Sequence, residues 1–328
     1  MRIAKNENIK NTDFGEKRKV LADLLLRRCL GFSMNSDLDD LLNDELYSLI
    51  KKYLAEICDD TNTNILSLRA YDALQDDESR KIYACLFLCN VIKVHYGVGL
   101  IIFTKTVLFV LKNRLEEKGK NLSGYDNYNC DFFFSKQYFS LPQFKPSSEK
   151  NEIFIDCGAF DGSTVKDFVE YCEGKYDKIY SFEPIPSQYQ NALNNIKKWN
   201  IQKVELIQKG VWSGEAVFNF SENEAGSAIS SQGTVPVEVA AIDSIIPENE
   251  NVTFIKMDIE GAEFEALKGA VNTIRRCKPK LAVCIYHKPS DIIEIPALIL
   301  SIYPEYEFYI RHHYINAWET VLYALPPK

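Results

Sequence analysis

The sequence predicts an α/β domain with a mostly parallel sheet over residues 151–328, preceded by a mainly α-helical N-terminal domain at 1–140 and a linker at 141–150. Two observations predict it. All twelve prolines lie at Pro142 or later, so the first 141 residues lack the residue that most often breaks helices. Beyond Asn151, short runs rich in β-branched and aromatic residues alternate with stretches of helical periodicity, the pattern of strands joined by crossover helices.

In the N-terminal region apolar residues recur at helical spacing: Val20, Leu21, Leu24 and Leu25, then Leu38, Leu41, Leu42, Leu46, Leu49, Ile50 and Leu54. Ile82 to Val94 and Gly99 to Leu115 continue it, and such helices offer a surface through which copies of the chain could form a homo-oligomer. The segment from Leu141 to Lys150 has the Pro and Ser content of a boundary. Strands are expected at Ile153–Cys157, Lys178–Phe182, Val204–Gln208, Val252–Met257 and Lys280–Tyr286, and helices at Ser163–Glu173, Ser187–Trp199, Ala262–Arg276 and Asp291–Ser301. Two extra β-like runs, Ala216–Phe220 and Val235–Val239, read as a flanking hairpin. The last two runs, Tyr306–Ile310 and Thr320–Leu325, are joined by too few residues for a parallel crossover and should pair antiparallel.

The net charge of −8 argues against a nucleic-acid partner, because phosphate neutralisation needs clustered Lys and Arg. Nine cysteines, an odd count with no C-x-x-C pair, read as reduced thiols of a cytoplasmic protein. The first residues, Met1 to Glu7, carry no apolar signal segment. The most apolar region, Ile82 to Leu111, is interrupted by Lys93, His95 and Lys105, so it reads as buried helix rather than a stable membrane insertion, with His95 in its core.

The chemistry concentrates where a strand ends in Asp156 and turns through Gly158 and Gly162 into a helix opening at Ser163. A dinucleotide would need one more glycine for close approach of its pyrophosphate to the helix N-terminus. A nucleoside with a zwitterionic, sulfonium-bearing tail needs nearby acids instead, and Glu183, ending the next strand, is placed to accept from a ribose diol. S-adenosylmethionine therefore fits better than NAD. The strand ending at Met257 brings Asp258 and Glu260 to the same crevice, because ligands of open α/β sheets bind beyond the carboxyl ends of the strands.

The ordered set Asp156-Cys157-Gly158-Ala159-Phe160-Asp161-Gly162, Phe182-Glu183-Pro184, Ala241-Ile242-Asp243 and Ile255-Lys256-Met257-Asp258-Ile259-Glu260-Gly261-Ala262-Glu263 resembles the FkbM-family methyltransferases, from about Asn151 to Leu325. The resemblance implies a class I, Rossmann-like methyltransferase fold with a seven-stranded, mostly parallel sheet whose last strand is antiparallel. It also implies S-adenosylmethionine-dependent methylation, typically of a hydroxyl on a sugar, glycan or secondary metabolite. The family often has Asn where this chain has Asp161. The cofactor-binding candidates are Asp156, Gly158, Ala159, Asp161, Gly162, Glu183, Pro184, Gly210, Val211 and Asp258, with Gly210 and Val211 on the adenine side and Trp212 beside them to stack or to pack.

Oxygen methylation needs an aligned acceptor and a group to take its proton. His287, at the end of the strand Lys280–Tyr286, is the catalytic candidate with Asp258 as rival and Glu260 as neighbour, while His312 and His313 are candidates for the acceptor side. The loop Ala225-Gly226-Ser227-Ala228 could act as a lid. Glu260 and Glu263 also suit the first turn of a helix electrostatically. Asp258 with Glu260 lacks a visible third ligand, so no metal ligands are assigned and a divalent metal stays open. The rival readings are an NAD(P)-dependent sugar oxidoreductase, which a Gly-x-Gly-x-x-Gly turn would have supported, and a non-catalytic nucleoside-binding scaffold.

Overall fold

A computed structural model describes residues 69–80, 82–84, 86, 136–146, 151–223, 226–229, 235–313 and 319–327. The expected N-terminal helices around Val20–Leu54 and Gly99–Leu115, together with His95, lie outside the described residues.

The strands are β1 (Glu152–Cys157), β2 (Tyr176–Phe182), β3 (Val204–Ile207), β8 (Phe254–Met257), β9 (Lys280–Cys284), β10 (Glu307–His312) and β11 (Thr320–Leu325) in one sheet, with β4 (Gly210–Val211), β5 (Ala216–Asn223), β6 (Gly226–Ile229) and β7 (Val235–Ala240) in a second. Helices α1 (Ser163–Tyr171), α2 (Pro186–Lys198), α3 (Ile242–Ile245), α4 (Glu263–Lys268), α5 (Val271–Cys277) and α6 (Asp291–Ile302) connect them. The main sheet runs β10-β11-β9-β8-β1-β2-β3. Its pairs from β3 to β9 are parallel, and β11 is antiparallel to both β9 and β10. The chain order reverses between β1 and β8, which opens a crevice above their carboxyl ends.

Alternation along the strands sends side chains to two apolar layers. Ile153, Ile155 and Cys157 of β1 join Ile255, Met257, Leu281 and Val283 under α4–α6. Phe154 faces the other way and stacks on Phe168 of α1 with ring centroids 4.2 Å apart. A 3-10 turn at Gln137–Phe139 covers that second layer, with Phe139 edge-on to Phe154 and Phe254. Leu141 and Phe144 are buried there too, so this part of the expected linker is packed against the sheet.

Residues 69–80 and 82–84 cover the β10 edge. Leu74 bridges to Phe308, Ala70, Tyr71, Ile82 and Tyr83 enter the first apolar layer, and Asp76 and Glu78 pair with Arg311. An edge strand that would expose unpaired backbone groups is thereby closed.

Local differences from the sequence expectation have physical causes. The single helix expected over 262–276 is two, α4 and α5, broken at Gly269-Ala270, where the chain passes so close to Trp212 that a Cβ on Gly269 would lie 2.0 Å from its carbonyl oxygen. Of the loop read as a lid, residues 226–228 belong to strand β6, which pairs antiparallel with β5. The β5–β7 hairpin pairing is present, with Ala216 opposite Val239. Among the described residues no helix is long and apolar enough to cross a membrane.

Candidate active site

Register places three polar side chains at one level beneath the crevice. Asp156 of β1 is opposite Ser181 of β2 and Lys256 of β8. Ser181 Oγ donates to Asp156 Oδ2 at 3.0 Å, and Lys256 Nζ stands 3.2 Å from Oδ1, all three residues being buried. Lys256 also donates to the carbonyl oxygens of Gly158 at 2.7 Å and Cys157 at 3.2 Å. Burial works against its charge, but Asp156 and Asp258 more than offset that and hold the ammonium above its usual range. The pair fixes the turn from below, so Asp156 acts on the crevice through the backbone.

Above it the turn is set by conformation. Gly158 has φ +93°, and a Cβ there would fall 2.1 Å from the carbonyl oxygen of Asp258. Only glycine lets the β1 and β8 tips approach this closely. The N–H groups of Gly158 and Ala159 both donate to Phe182 O, tying the turn to β2. Asp161 Oδ1 accepts from Ser163 N at 3.0 Å, and its carbonyl accepts from Asn195, which makes it a brace for the start of α1.

Glu183 lies across the turn. Its Oε2 accepts from Phe160 N and its Oε1 from Ile185 N, each at 2.9 Å, and it is only 3% exposed. Burial pushes its carboxyl up to about 7 despite these two bonds. Phe160 adopts φ +51° and is 57% exposed, a large aromatic held out at the mouth of the crevice.

A cavity of about 460 Å³ occupies the crevice, a size suited to one small organic ligand. Gly158, Phe160, Ser163 and Thr164 line it from the turn, Glu183, Pro184 and Ile185 from the β2 tip, and Gly210, Val211 and Trp212 from the β4 side. Lys256, Asp258, Ile259 and Glu260 line the β8 side, where Tyr138 and Glu319 join them. Of the expected cofactor residues, Gly158, Glu183, Pro184, Gly210, Val211 and Asp258 therefore meet at one cavity, while Asp156, Ala159, Asp161 and Gly162 shape it without lining it. Trp212 lines the cavity and packs edge-on against Phe218 at 5.1 Å.

The β8 tip carries the strongest electrostatics. Asp258 Oδ2 accepts from Tyr138 Oη at 2.6 Å and Oδ1 from Tyr286 Oη at 3.2 Å. Burial would raise this carboxyl, yet Lys256, His287 and the Tyr138 hydroxyl hold it below the usual carboxylate range. Glu260 sits at φ +54°, a conformation costing a non-glycine residue on the order of 1 kcal/mol. Its carboxyl is raised by burial, with His287 opposing.

His287 stands behind these acids rather than on the cavity wall. Its Nε2 is 3.5 Å from both Asp258 Oδ1 and Glu260 Oε2, and Nδ1 is 3.0 Å from Glu263 Oε1. Burial disfavours its charge, but Glu263 first and then Asp258 and Glu260 raise it to about 9. His312 and His313 go elsewhere: they are buried against Thr320 and Tyr323, at 2.7 Å each, and line no part of the cavity.

Four site residues were not reached from sequence. Lys256 read as part of a strand, and Glu263 as a helix-start acid; the Lys-x-Asp-x-Glu-Gly-x-Glu spacing was the available signal for both. Tyr138 and Glu319 sit outside any motif and arrive through the packing of the 3-10 turn and the start of β11.

This geometry coincides with a family. Residues 156–313 match the family model of the methyltransferase FkbM domain. Over residues 156–313 the chain is similar to FkbM methyltransferase domains. The FkbM match runs from the tip of β1 to the end of β10, so Gln137, Tyr138 and Glu319 complete the cavity from outside it. Among solved structures, a methyltransferase FkbM from Methylobacillus flagellatus KT has the same fold, with TM-score 0.58 and 23% identity over 79% of this chain. The aligned part is 58% of that protein, so this chain spans less than two thirds of its length. An rRNA methylase from Streptococcus thermophilus is similar at TM-score 0.40 and 12% identity, covering 59% of this chain and 95% of its own. No curated protein matches the chain.

Proposed function

We propose that the FkbM-like domain transfers the methyl group of S-adenosylmethionine to a hydroxyl of a sugar, glycan or secondary-metabolite acceptor in the cytoplasm. The observation that carries this reading is Glu183, a buried carboxylate at the β2 tip facing the cavity opposite the Gly158 turn. A ribose diol offers two O–H donors to such a carboxylate, whose oxygens keep lone pairs beside the bonds they accept from the backbone N–H groups of Phe160 and Ile185. The bound sulfonium supplies an electrophilic methyl, so the protein's tasks are alignment and proton removal.

Asp258 suits the second task. It lines the cavity, two tyrosine hydroxyls fix its orientation, and Lys256 and His287 favour its anion. His287 and Glu260 hold it from behind and beside. The acidic surroundings of Asp258, Glu260 and Glu319 also suit a cationic donor. Support for oxygen as the acceptor atom, and for a sugar or natural product as acceptor, comes from the family resemblance.

Calorimetry decides the cofactor. Saturable binding of S-adenosylmethionine that is lost in Glu183→Ala supports the reading, and tight NADH binding instead overturns it in favour of an oxidoreductase. For the chemistry, Asp258→Asn should keep cofactor binding within a few-fold while turnover on a panel of hydroxylated acceptors falls by on the order of 10²–10⁴, the usual worth of a proton-transfer group. Undiminished turnover removes Asp258 from the role.

A further inference from the structure

Behind the cavity wall, Asp258, Glu263 and His287 bring ligand atoms within 4.8 Å of one another. Each comes from a different part of the fold: Asp258 follows β8, Glu263 opens α4 and His287 follows β9. Glu263 is completely buried. Its Oε1 accepts from Ile259 N at 2.8 Å, but Oε2 has no hydrogen-bond partner. His287 has a side chain only 8% exposed, and neither ring nitrogen makes a hydrogen bond of acceptable geometry although carboxylate oxygens lie at 3.0–3.5 Å. Buried polar groups are normally satisfied, so an orphaned carboxylate oxygen and an orphaned imidazole in one cluster point to a ligand shared by them.

Charge makes the same demand. Three carboxylates, Asp258, Glu260 and Glu263, surround one imidazole, while the nearby ammonium of Lys256 is already engaged with Asp156 and two carbonyl oxygens. We propose that Asp258, Glu263 and His287 bind a divalent first-row transition-metal ion just behind the β8 side of the cavity wall. Ligands about 2.1 Å from an ion lie roughly 3–4 Å from each other, so small side-chain rotations close the site. One imidazole with two carboxylates suits Mn²⁺, Fe²⁺ or Zn²⁺ better than Mg²⁺ or Ca²⁺, which favour oxygen-only shells. Glu260 is the natural fourth ligand, and Asp258 opens the ion toward the cavity. An acceptor hydroxyl reaching the ion would be made more acidic there. That consequence rests on the methyl-transfer reading; the binding of the ion does not.

Mn²⁺ itself is the probe, added to chelator-treated full-length protein without S-adenosylmethionine. The expected result is loss of the free-ion electron paramagnetic resonance signal at one equivalent per chain. Spin-echo modulation should show a nitrogen coupling from directly bound imidazole, a readout that needs no variant. Glu263→Gln and His287→Ala should each weaken Mn²⁺ binding at least tenfold, and His287→Ala should abolish the nitrogen coupling. No binding overturns the proposal and leaves an ion-paired histidine. Binding without nitrogen coupling overturns it in favour of surface carboxylates. Because no cofactor is present, these outcomes are independent of whether methyl transfer occurs.

Discussion

Under the proposed function, Glu183 ties stability and cofactor binding to one titration. Its carboxyl lies at about 7 in the fold against an ordinary 4.5, because burial disfavours the anion more than the N–H groups of Phe160 and Ile185 favour it. With the folded value above the unfolded one, the folded state holds the proton more tightly. Stability is therefore greatest below pH 4.5 and declines as pH rises toward 7, after which this contribution is flat. At about 1.4 kcal/mol per pH unit, the gap between the two values amounts to ~3 kcal/mol. Glu183→Gln removes the titration. It leaves one backbone N–H without an acceptor, a loss of about 1–3 kcal/mol that does not change with pH.

Urea denaturation of both proteins at a series of pH values from 4.5 to 8 gives the difference in unfolding free energy, in which the other titrating groups cancel. That difference should move in favour of the variant by ~3 kcal/mol across the window. Cofactor binding should run the opposite way. If only the carboxylate accepts the ribose hydroxyls, affinity for S-adenosylmethionine weakens about tenfold per pH unit below 7, in proportion to the ionised fraction. A stability difference that stays flat between pH 5 and 7.5 refutes the buried-acid reasoning. Cofactor affinity independent of pH refutes the role of the anion.

Three further outcomes follow from the geometry. Gly158→Ala must accommodate a Cβ 2.1 Å from the Asp258 carbonyl oxygen at φ +93°, so it should lower stability by about 3 kcal/mol or more and abolish cofactor binding, read by thermal denaturation and calorimetry. Lys256→Met leaves Asp156 buried without its counter-charge, a loss of about 3–5 kcal/mol. Because an unpaired Asp156 would bind its proton more tightly when folded, that loss should be smallest at low pH and grow as pH rises above 4, which urea denaturation at pH 4 and 7 checks. Tyr138→Phe deletes the 2.6 Å bond to Asp258, and a bond to a charged group contributes about 1.5–3 kcal/mol. Its turnover should fall while the Kd for S-adenosylmethionine stays within a few-fold, which steady-state kinetics and calorimetry separate.

The parallel sheet was legible because its strands are short runs rich in β-branched and aromatic residues that alternate with stretches of helical periodicity. The antiparallel pairing of β10 and β11 was legible from the short connection between them. The glycine turn and the acids at the β1, β2 and β8 tips were legible because close backbone approach and charge at a strand end leave few residue choices. Helix ends were less so: nothing local to Gly269 announces that the chain passes the Trp212 carbonyl there, and that contact splits α4 from α5. His312 and His313 looked available because position along a strand does not reveal what packs on it, and here Thr320 and Tyr323 do.

The wall formed by Gln137, Tyr138 and Glu319 is the harder case, and for a definite reason. A cofactor pocket in this fold is built by consecutive strand tips, so its residues fall in ordered, short strings. The wall facing it is built by whatever the rest of the chain lays across the sheet. Tyr138 reaches Asp258 across 120 positions, and Gln137 donates to Glu319 across 182. Contacts of that separation depend on tertiary register, which no local pattern encodes. Gln137, Tyr138 and Glu319 also lie outside residues 156–313, so the family match covers the rest of the cavity lining and leaves this wall to the chain's own sequence. Substitutions at Tyr138, Gln137 and Glu319 should therefore change the choice of acceptor while leaving cofactor affinity nearly intact. Competition between two hydroxylated acceptors, measured at saturating S-adenosylmethionine in Glu319→Gln, tests this. An unchanged ratio of kcat/KM values would place the acceptor elsewhere.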